Sequence, residues 1–453
     1  MPRLDEFVFA PDQEAERVYL LGLGLPGVSG EELEEQMEEL AELARTAGAE
    51  VVGSDVQHLR APNPLTCFGK GKVEELKALK ADLDFTTLVT NDELAPRQQR
   101  NLEDALDMKV LDRTEVILDI FARHARTHEG RLQVEAAQLR HLLPRLTGGR
   151  KLSRLGGGIG TRGPGEQKLE VDRRRIRMRI SELKRDLAKV EKSRSLHRQA
   201  RRRDGIPVVG VVGYTNAGKS TLMNAITRAG VLEADQVFAT LDPTTRATRL
   251  PRGMRILLTD TVGFIQKLPT DLVEAFKGTL EEVTEASVIL HVLDISHPAM
   301  AEHFAATNVV LEELDAMDKP LLLALNKADL VDPATAAMIK RRGDWAPYEE
   351  VVPISARTGA GVHSLLEAVE RLTHQGMVRV DLLVPYEQSG LESELRERGR
   401  VLDLDYGDDG ISVMVELSAG MAGRYARFRR PSPPTKGVRK APARTAGARG
   451  RAG

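Results

Sequence analysis

The sequence predicts an α/β protein of several domains, and three observations predict it. Short apolar runs of strand character alternate with helical stretches over residues 17–114 and again over 205–374, the pattern of parallel sheets flanked by helices. The run "IPVVGVVG", residues 206–213, is apolar throughout, as a strand buried on both faces requires. That run leads directly into "GYTNAGKS", residues 213–220, a glycine loop of the phosphate-binding pattern G-x-x-x-x-G-K-[ST]. At 453 residues the chain exceeds what one core supports, and about three domains is the prior.

The elements follow in order. Residues 1–114 read as a small α/β domain, with strands at "RVYLLGLGL", "EVVGSDV", "FTTLVT" and "MKVLDR". Between the first two, "EELEEQMEELAELA" sets Leu33, Met37, Leu40 and Ala44 on one helical face. Residues 115–204 read as a helical hairpin. One arm carries the stripe Leu132, Leu139, Leu142 and Leu146; the other carries Ile176, Ile180, Leu183, Leu187 and Val190 at steps of four and three. Such seams pack against one another. Between them "GGRKLSRLGGGIGTRGPGE" holds eight glycines and forms the hairpin's tip. The domain over 205–374 adds strands at "MRILLTD", "VILHVLDI", "PLLLALNK" and "VVPISA", with "RATRLPRGMRILLTD" as a hairpin that makes one strand antiparallel. Residues 375–430 read as a small α+β unit. The Pro-, Gly- and Arg-rich tail, 431–453, has the composition of a disordered segment.

Composition narrows the function classes. No apolar run approaches the ~18 residues of a membrane span. The N-terminus lacks the basic-then-apolar order of a signal peptide. Cys67 is the only cysteine, which excludes an internal disulfide and a Cys-rich metal site and suits a reducing cytoplasm. The net charge of −2 hides segregation: residues 1–43 carry 12 acidic and 2 basic side chains, and residues 168–203 carry 15 basic and 5 acidic ones. Basic blocks of this kind attract phosphate backbones.

The chemistry concentrates in the domain over 205–374. Gly213 and Gly218 let backbone N–H groups close around phosphate oxygens, with Tyr214, Thr215, Asn216 and Ala217 forming the loop between them. Lys219 places a point charge on the outer phosphates. Ser220 offers a hydroxyl to Mg²⁺, and the following helix adds its positive end. Farther on, "DTVG", residues 260–263, ends a strand with Asp260, a carboxylate suited to the Mg²⁺ shell. Thr261 and Val262 lead to Gly263, whose N–H can reach a γ-phosphate. "NKAD", residues 326–329, ends another strand. Asp329 is an acceptor-only carboxylate that can take N1–H and the 2-amino group of guanine together. Asn326, Lys327 and Ala328 brace that pocket. "SAR" (Ser355, Ala356, Arg357) can supply a backbone N–H to the base carbonyl.

With "FATLDPTTR", "DTVGFIQKLP" and "SARTG" added, the chain resembles the HflX family within the Obg-like branch of translation-factor GTPases. "GGGIGTRGPGEQKLEVDRRR", "FGKGKVEEL" and "NDELAPRQQRNLE" are similar to that family's segments outside the nucleotide domain. The resemblance spans about residues 17–430. It implies a P-loop GTPase fold with Mg²⁺ as cofactor, GTP and GDP as ligands, and the 50S ribosomal subunit with its rRNA as partner. The family's work is the splitting or rescue of stalled ribosomes, with hydrolysis driving release. Ribosome assembly and a GTP-gated RNA clamp with negligible turnover stay open as alternatives. The implied first switch is Phe238, Ala239, Thr240, Leu241 and Asp242, with Thr240 the Mg²⁺ ligand beside Ser220. Spacing alone leaves Thr244 and Thr245 open. The catalytic set is Lys219, Thr240, Gly263 and Asn216.

Phe264 stands where many such hydrolases carry a water-orienting glutamine. A phenyl ring cannot hold a water, so the rate alone should be low and stimulated by a partner. K⁺ is a second candidate cation, ligated by the Asn216 amide; a plain loop role for Asn216 is the alternative. The expected molecule is monomeric and cytoplasmic, with peripheral membrane association the other location considered. "GLGLPG", residues 22–27, spells a dinucleotide fingerprint, but Glu31, Glu32, Glu34 and Glu35 open the next helix and repel a pyrophosphate.

Overall fold

The computed structural model describes residues 15–146, 164–227, 245–261, 263–265, 282–342, 345–375 and 377–430. They fall into two compact units that divide at residue 376.

The first unit begins with a four-stranded sheet. Strands β1 (Arg17–Gly24), β2 (Glu50–His58), β3 (Thr87–Thr90) and β4 (Lys109–Asp112) lie in the order β2-β1-β3-β4, all parallel. Helix α1 (Gly30–Thr46) starts where the Ser29 hydroxyl accepts from the Glu32 N–H at 3.0 Å, an N-cap worth about 1 kcal/mol. Its buried stripe is Leu33, Met37, Leu40, Leu43 and Ala44, the face read from the sequence with Leu43 added. Helices α2 (Lys70–Leu83) and α3 (Pro96–Leu106) bury Val73, Leu76 and Leu102 with Phe68, Phe85 and Leu88. Helix α4 (Arg113–His124) follows β4 without a loop, because Asp112 and Glu115 form a reciprocal capping box. The boundary expected after residue 114 falls within this helix, which packs on the helix that follows it as well as on α1 and β4.

The hairpin arms are α5 (His128–Arg145) and α6 (Pro164–Asp204). Leu132, Ala136 and Leu139 of α5 meet Leu183 of α6, with Ile176, Ile180 and Leu187 packed alongside. Arg173 donates to the Leu146 carbonyl, Arg179 grips Glu135 at 2.7 Å and Arg194 pairs with Glu129 at 2.9 Å. Residue numbers rise on one arm as they fall on the other, so the arms run antiparallel. The glycine-rich tip lies outside the described residues up to 163.

A six-stranded sheet forms the rest of this unit, in the order β10-β9-β8-β5-β7-β6. Its strands are β5 (Val208–Val212), β6 (Thr245–Arg249), β7 (Arg255–Asp260), β8 (Val288–Asp294), β9 (Leu321–Asn326) and β10 (Glu350–Pro353). Only β6 is antiparallel, paired to β7 as the hairpin pattern predicted. Among the described residues, helices α7 (Lys219–Thr227), α8 (Met300–Glu313), α9 (Pro333–Lys340) and α10 (Val362–His374) accompany it. From β5 the chain moves one way to β7 and the other way to β8. That reversal opens a crevice at the strand ends, where ligands of such sheets bind.

The second unit is an antiparallel sheet of order β11-β13-β12, made of β11 (Val378–Val384), β12 (Arg400–Gly407) and β13 (Gly410–Leu417). Helices α11 (Gly390–Arg398) and α12 (Ala419–Arg424) accompany it, with Leu382, Leu395, Val415 and Met421 in its core. The basic tail, 431–453, lies outside the described residues. Among the described residues no helix is long and apolar enough to cross a membrane.

Candidate functional site

The loop from Gly213 to Ser220 leaves β5 at the crevice and enters α7. Two of its glycines are required by contact. A Cβ on Gly213 (φ 148°) would meet the Val292 carbonyl oxygen at 2.3 Å, and one on Gly218 (φ 94°) would meet Asn326 Nδ2 at 2.2 Å. Asn216 sits at φ 57° at the exposed turn of the loop, a conformation that asparagine tolerates better than most residues. Lys219 Nζ is buried and donates to the carbonyls of Gly213 at 3.0 Å and Tyr214 at 2.6 Å. Burial pushes its pKa down to about 8, partly offset by Asp260. The ammonium is thus held in the loop, short of a full countercharge.

Asp260, at the end of β7, accepts from the Ser220 hydroxyl at 3.3 Å. Thr261 points away and donates to the Val211 carbonyl at 2.7 Å. The next segment is stitched to the phosphate loop: Phe264 N–H donates to the Gly213 carbonyl at 3.1 Å, and Thr215 N–H donates to the Phe264 carbonyl at 2.8 Å. A Cβ on Gly263 would lie 2.8 Å from Thr215 Cγ2 and 3.2 Å from Lys219 Nζ. Only glycine lets the backbone come this close. The Phe264 ring is buried in the core with Val212, Leu293 and Leu325. It is therefore a packing residue here.

The base-side loops converge on Asn326. Its Nδ2 donates to the Ala217 carbonyl at 2.8 Å and its Oδ1 accepts from Ala356 N–H at 2.9 Å. One buried amide ties the phosphate loop, the NKAD turn and the SAR loop together. Of the backbone N–H groups that the SAR loop could offer to a base carbonyl, that of Ala356 is engaged by Asn326. Lys327 pairs with Asp294 at 2.7 Å, and Ala328 N–H donates to the Ile354 carbonyl. Asp329 is exposed and pairs with Arg357 at 2.5 Å. A hydrogen bond from Ser355, then Arg357, holds its carboxyl below the ordinary range, so it is ionised and acceptor-only at neutral pH.

Ser220, Asp260 and Gly263 are thus brought together with Lys219, and Asp329 with Ser355 and Arg357. Phe238, Ala239, Thr240, Leu241, Asp242 and Val262 lie outside the described residues, as does Thr244. Thr245 belongs to β6, its hydroxyl 3.1 Å from that of Thr259. Sequence reasoning missed His291, buried behind the lysine and hydrogen-bonded to the Tyr348 hydroxyl at 2.6 Å; burial, then Lys219, drives its pKa down to about 3. It also missed Glu39, whose carboxylate accepts from the Tyr214 hydroxyl at 2.6 Å. Nothing local signals a contact between residues 175 apart.

Three family models match the chain: "GTP-binding GTPase N-terminal" over 34–122, "GTP-binding GTPase Middle Region" over 124–201 and "50S ribosome-binding GTPase" over 208–327. GTPase HflX of Caldanaerobacter subterraneus subsp. tengcongensis is 48% identical across 92% of this chain and 94% of its own. The chain belongs to the GTPase HflX family. It is accordingly a GTP hydrolase. GTPase HflX of Escherichia coli is 45% identical over 84% of this chain and 89% of its own. Among solved structures, a Sulfolobus solfataricus GTP-binding protein in complex with GDP aligns over 79% of this chain and 99% of its own. That alignment has a TM-score of 0.43 at 25% identity.

Proposed function

We propose that this HflX-family chain binds GTP with Mg²⁺ in the crevice at β5, docks in that state on the 50S ribosomal subunit and uses hydrolysis to leave it. Splitting or rescue of stalled ribosomes in the cytoplasm, by a monomer, is the task this assigns. The observation that carries the nucleotide reading is the Asn326 amide. It joins the phosphate loop to the SAR loop at 2.8 and 2.9 Å, as a site gripping phosphates and base together requires.

The backbone of residues 213–220 cradles the phosphates, Lys219 neutralises the outer ones and Gly263 N–H meets the γ-phosphate. Asp329 reads the 2-amino edge of guanine, which requires Arg357 to give way. Mg²⁺ fits the donor set: a hydroxyl and a carboxylate lie 3.3 Å apart at the phosphate end, and hard oxygen ligands suit that ion. Ser220 and Thr240 would hold it directly, with Asp260 in its shell. Bound there, the ion supplies charge neutralisation for the transferring phosphoryl group.

The buried Phe264 ring supports a low intrinsic rate. The stimulating group comes from the partner, with K⁺ at Asn216 as a further contributor. Docking on rRNA uses the basic face of α6, where Arg174, Arg177, Lys184 and Arg185 are exposed, together with the glycine-rich tip. The experiment is GTP turnover with and without purified 50S subunits, across salt. Stimulation that fades as salt rises is expected of phosphate contacts; absence of stimulation at low salt overturns the ribosome reading. Equal stimulated rates in K⁺ and Na⁺ remove the role of K⁺.

A further inference from the structure

The phosphate loop is held from outside its own domain. Tyr214, buried in that loop, donates its hydroxyl to Glu39 on α1 at 2.6 Å. The other oxygen of Glu39 is gripped by Arg113 at 2.5 Å. Arg113 is itself buried and donates to Asn91 at 3.0 Å, and Asn91 donates to Gln36 at 3.1 Å. The acceptor that meets Tyr214 is therefore fixed by a chain of buried partners in the N-terminal sheet layer. On its other side the Tyr214 ring stacks on His303 of α8, with centroids 3.6 Å apart and planes 11° apart. Glu35, one turn before Glu39 on α1, lies 3.1 Å from His303 Nε2. Two glutamates of one helix thus bracket both the ring and the ring's stacking partner.

Tyr214 is well placed to pass this restraint on. Its carbonyl is one of the two oxygens that hold Lys219 Nζ, and Thr215 beside it is stitched to Phe264. We propose that Glu39 is a positioning residue for nucleotide binding: by fixing Tyr214 it keeps the phosphate loop in its binding shape. The N-terminal layer thereby sets the affinity for GTP. The inference rests on the nucleotide site proposed above. It also gives the acidic face of α1 a role other than that of a solvated surface. Coupling of this kind is reciprocal, so bound GTP should in turn hold α1 against the loop.

The test is a double-mutant cycle in the full chain, read by GTP affinity and by steady-state kinetics. Glu39→Ala and Tyr214→Phe should each raise Kd and KM for GTP about tenfold, the range for losing a charge-assisted hydrogen bond, with kcat little changed. The double variant should be no weaker than either single variant. Glu39→Gln should recover only part of the affinity: its amide oxygen can still accept from Tyr214, but its NH2 then faces the Arg113 guanidinium, a donor against a donor. Hydrogen exchange in α1 should slow when GTP binds the unaltered chain and not when it binds Tyr214→Phe. The proposal is overturned if Glu39→Ala lowers only the melting temperature, or if the two single effects simply add. An unaltered chain that does not bind GTP overturns the site itself, a distinguishable result.

Discussion

Two strand–glycine–helix turns, Gly22–Gly27 and Gly213–Gly218, invite comparison, and the second is the one proposed to hold phosphate. At Gly22–Gly27 the glycines make room for side chains: a Cβ on Gly22 would strike Met37 Sδ at 2.5 Å, and one on Gly24 would strike His58 Nδ1 at 2.3 Å. At Gly213–Gly218 they make room for the backbone of Val292 and the amide of Asn326. The helix after the first turn opens with Glu31 and Glu32, which complement its positive end internally. The helix after the second opens with Lys219 and Ser220, leaving that end for an anion. Glycine spacing alone does not make a phosphate cradle. What the glycines approach, and the charge of the first helical turn, decide it.

The sharpest way to break this comparison is to remove the charge that distinguishes the turns. Lys219→Ala should weaken GTP by about two orders of magnitude, roughly 2.7 kcal/mol, in a calorimetric titration. Residual triphosphate or dinucleotide binding traced to the Gly22–Gly27 turn would contradict it. Asp329→Asn should cost about 10- to 100-fold for GTP, the worth of charge-assisted bonds. The same variant should gain xanthosine triphosphate, whose C2 oxygen the new amide can donate to; unchanged GTP affinity would refute the base assignment.

The depressed Lys219 pKa gives a smaller and more specific test. Between about pH 8 and the lysine's ordinary 10.5 the folded, nucleotide-free chain has lost this proton while the unfolded chain keeps it. Stability from this group therefore rises with pH across that window. GTP affinity moves the other way, because the triphosphate favours the charged ammonium and must restore the proton. Affinity should be flat below pH 8 and fall above it, with proton uptake visible as buffer-dependent binding heat. The smallest expected effect is on the other turn. Ser29→Ala should cost about 1 kcal/mol of stability, read by urea unfolding, and leave GTP affinity unmoved.

Much of this was legible from residue pattern because it is local. The alternation of strands and helices, the antiparallel β6 and the seam around Leu183 all follow from spacing that each segment carries by itself. The phosphate loop and the NKAD turn were equally readable, since a strand, a glycine turn and a helix occur in one stretch. What escaped was tertiary. Helix α4 begins at once after β4 because Asp112 caps it, and a capping box beside a strand end does not reveal that the helix packs on both the N-terminal sheet layer and α5. Phe264 read as a missing catalytic group, and burial then turned it into a core side chain. Glu39 read as one acid among many on α1; its partners Arg113 and Tyr214 come from two other parts of the chain. That the Ala356 N–H is already taken was not readable either, because the spacing of the loop says nothing of Asn326 reaching across.

The Asn326 amide has a consequence for how the protein can change by mutation. A single planar group spans the recess, with one end on Ala217 and the other on Ala356. Loosening the loop proposed to recognise the purine therefore shakes the loop proposed to grip its tail. Selectivity and tightness cannot drift apart one substitution at a time through this position. Variants relaxed in which nucleotide they accept should, as a rule, also hold every nucleotide less firmly.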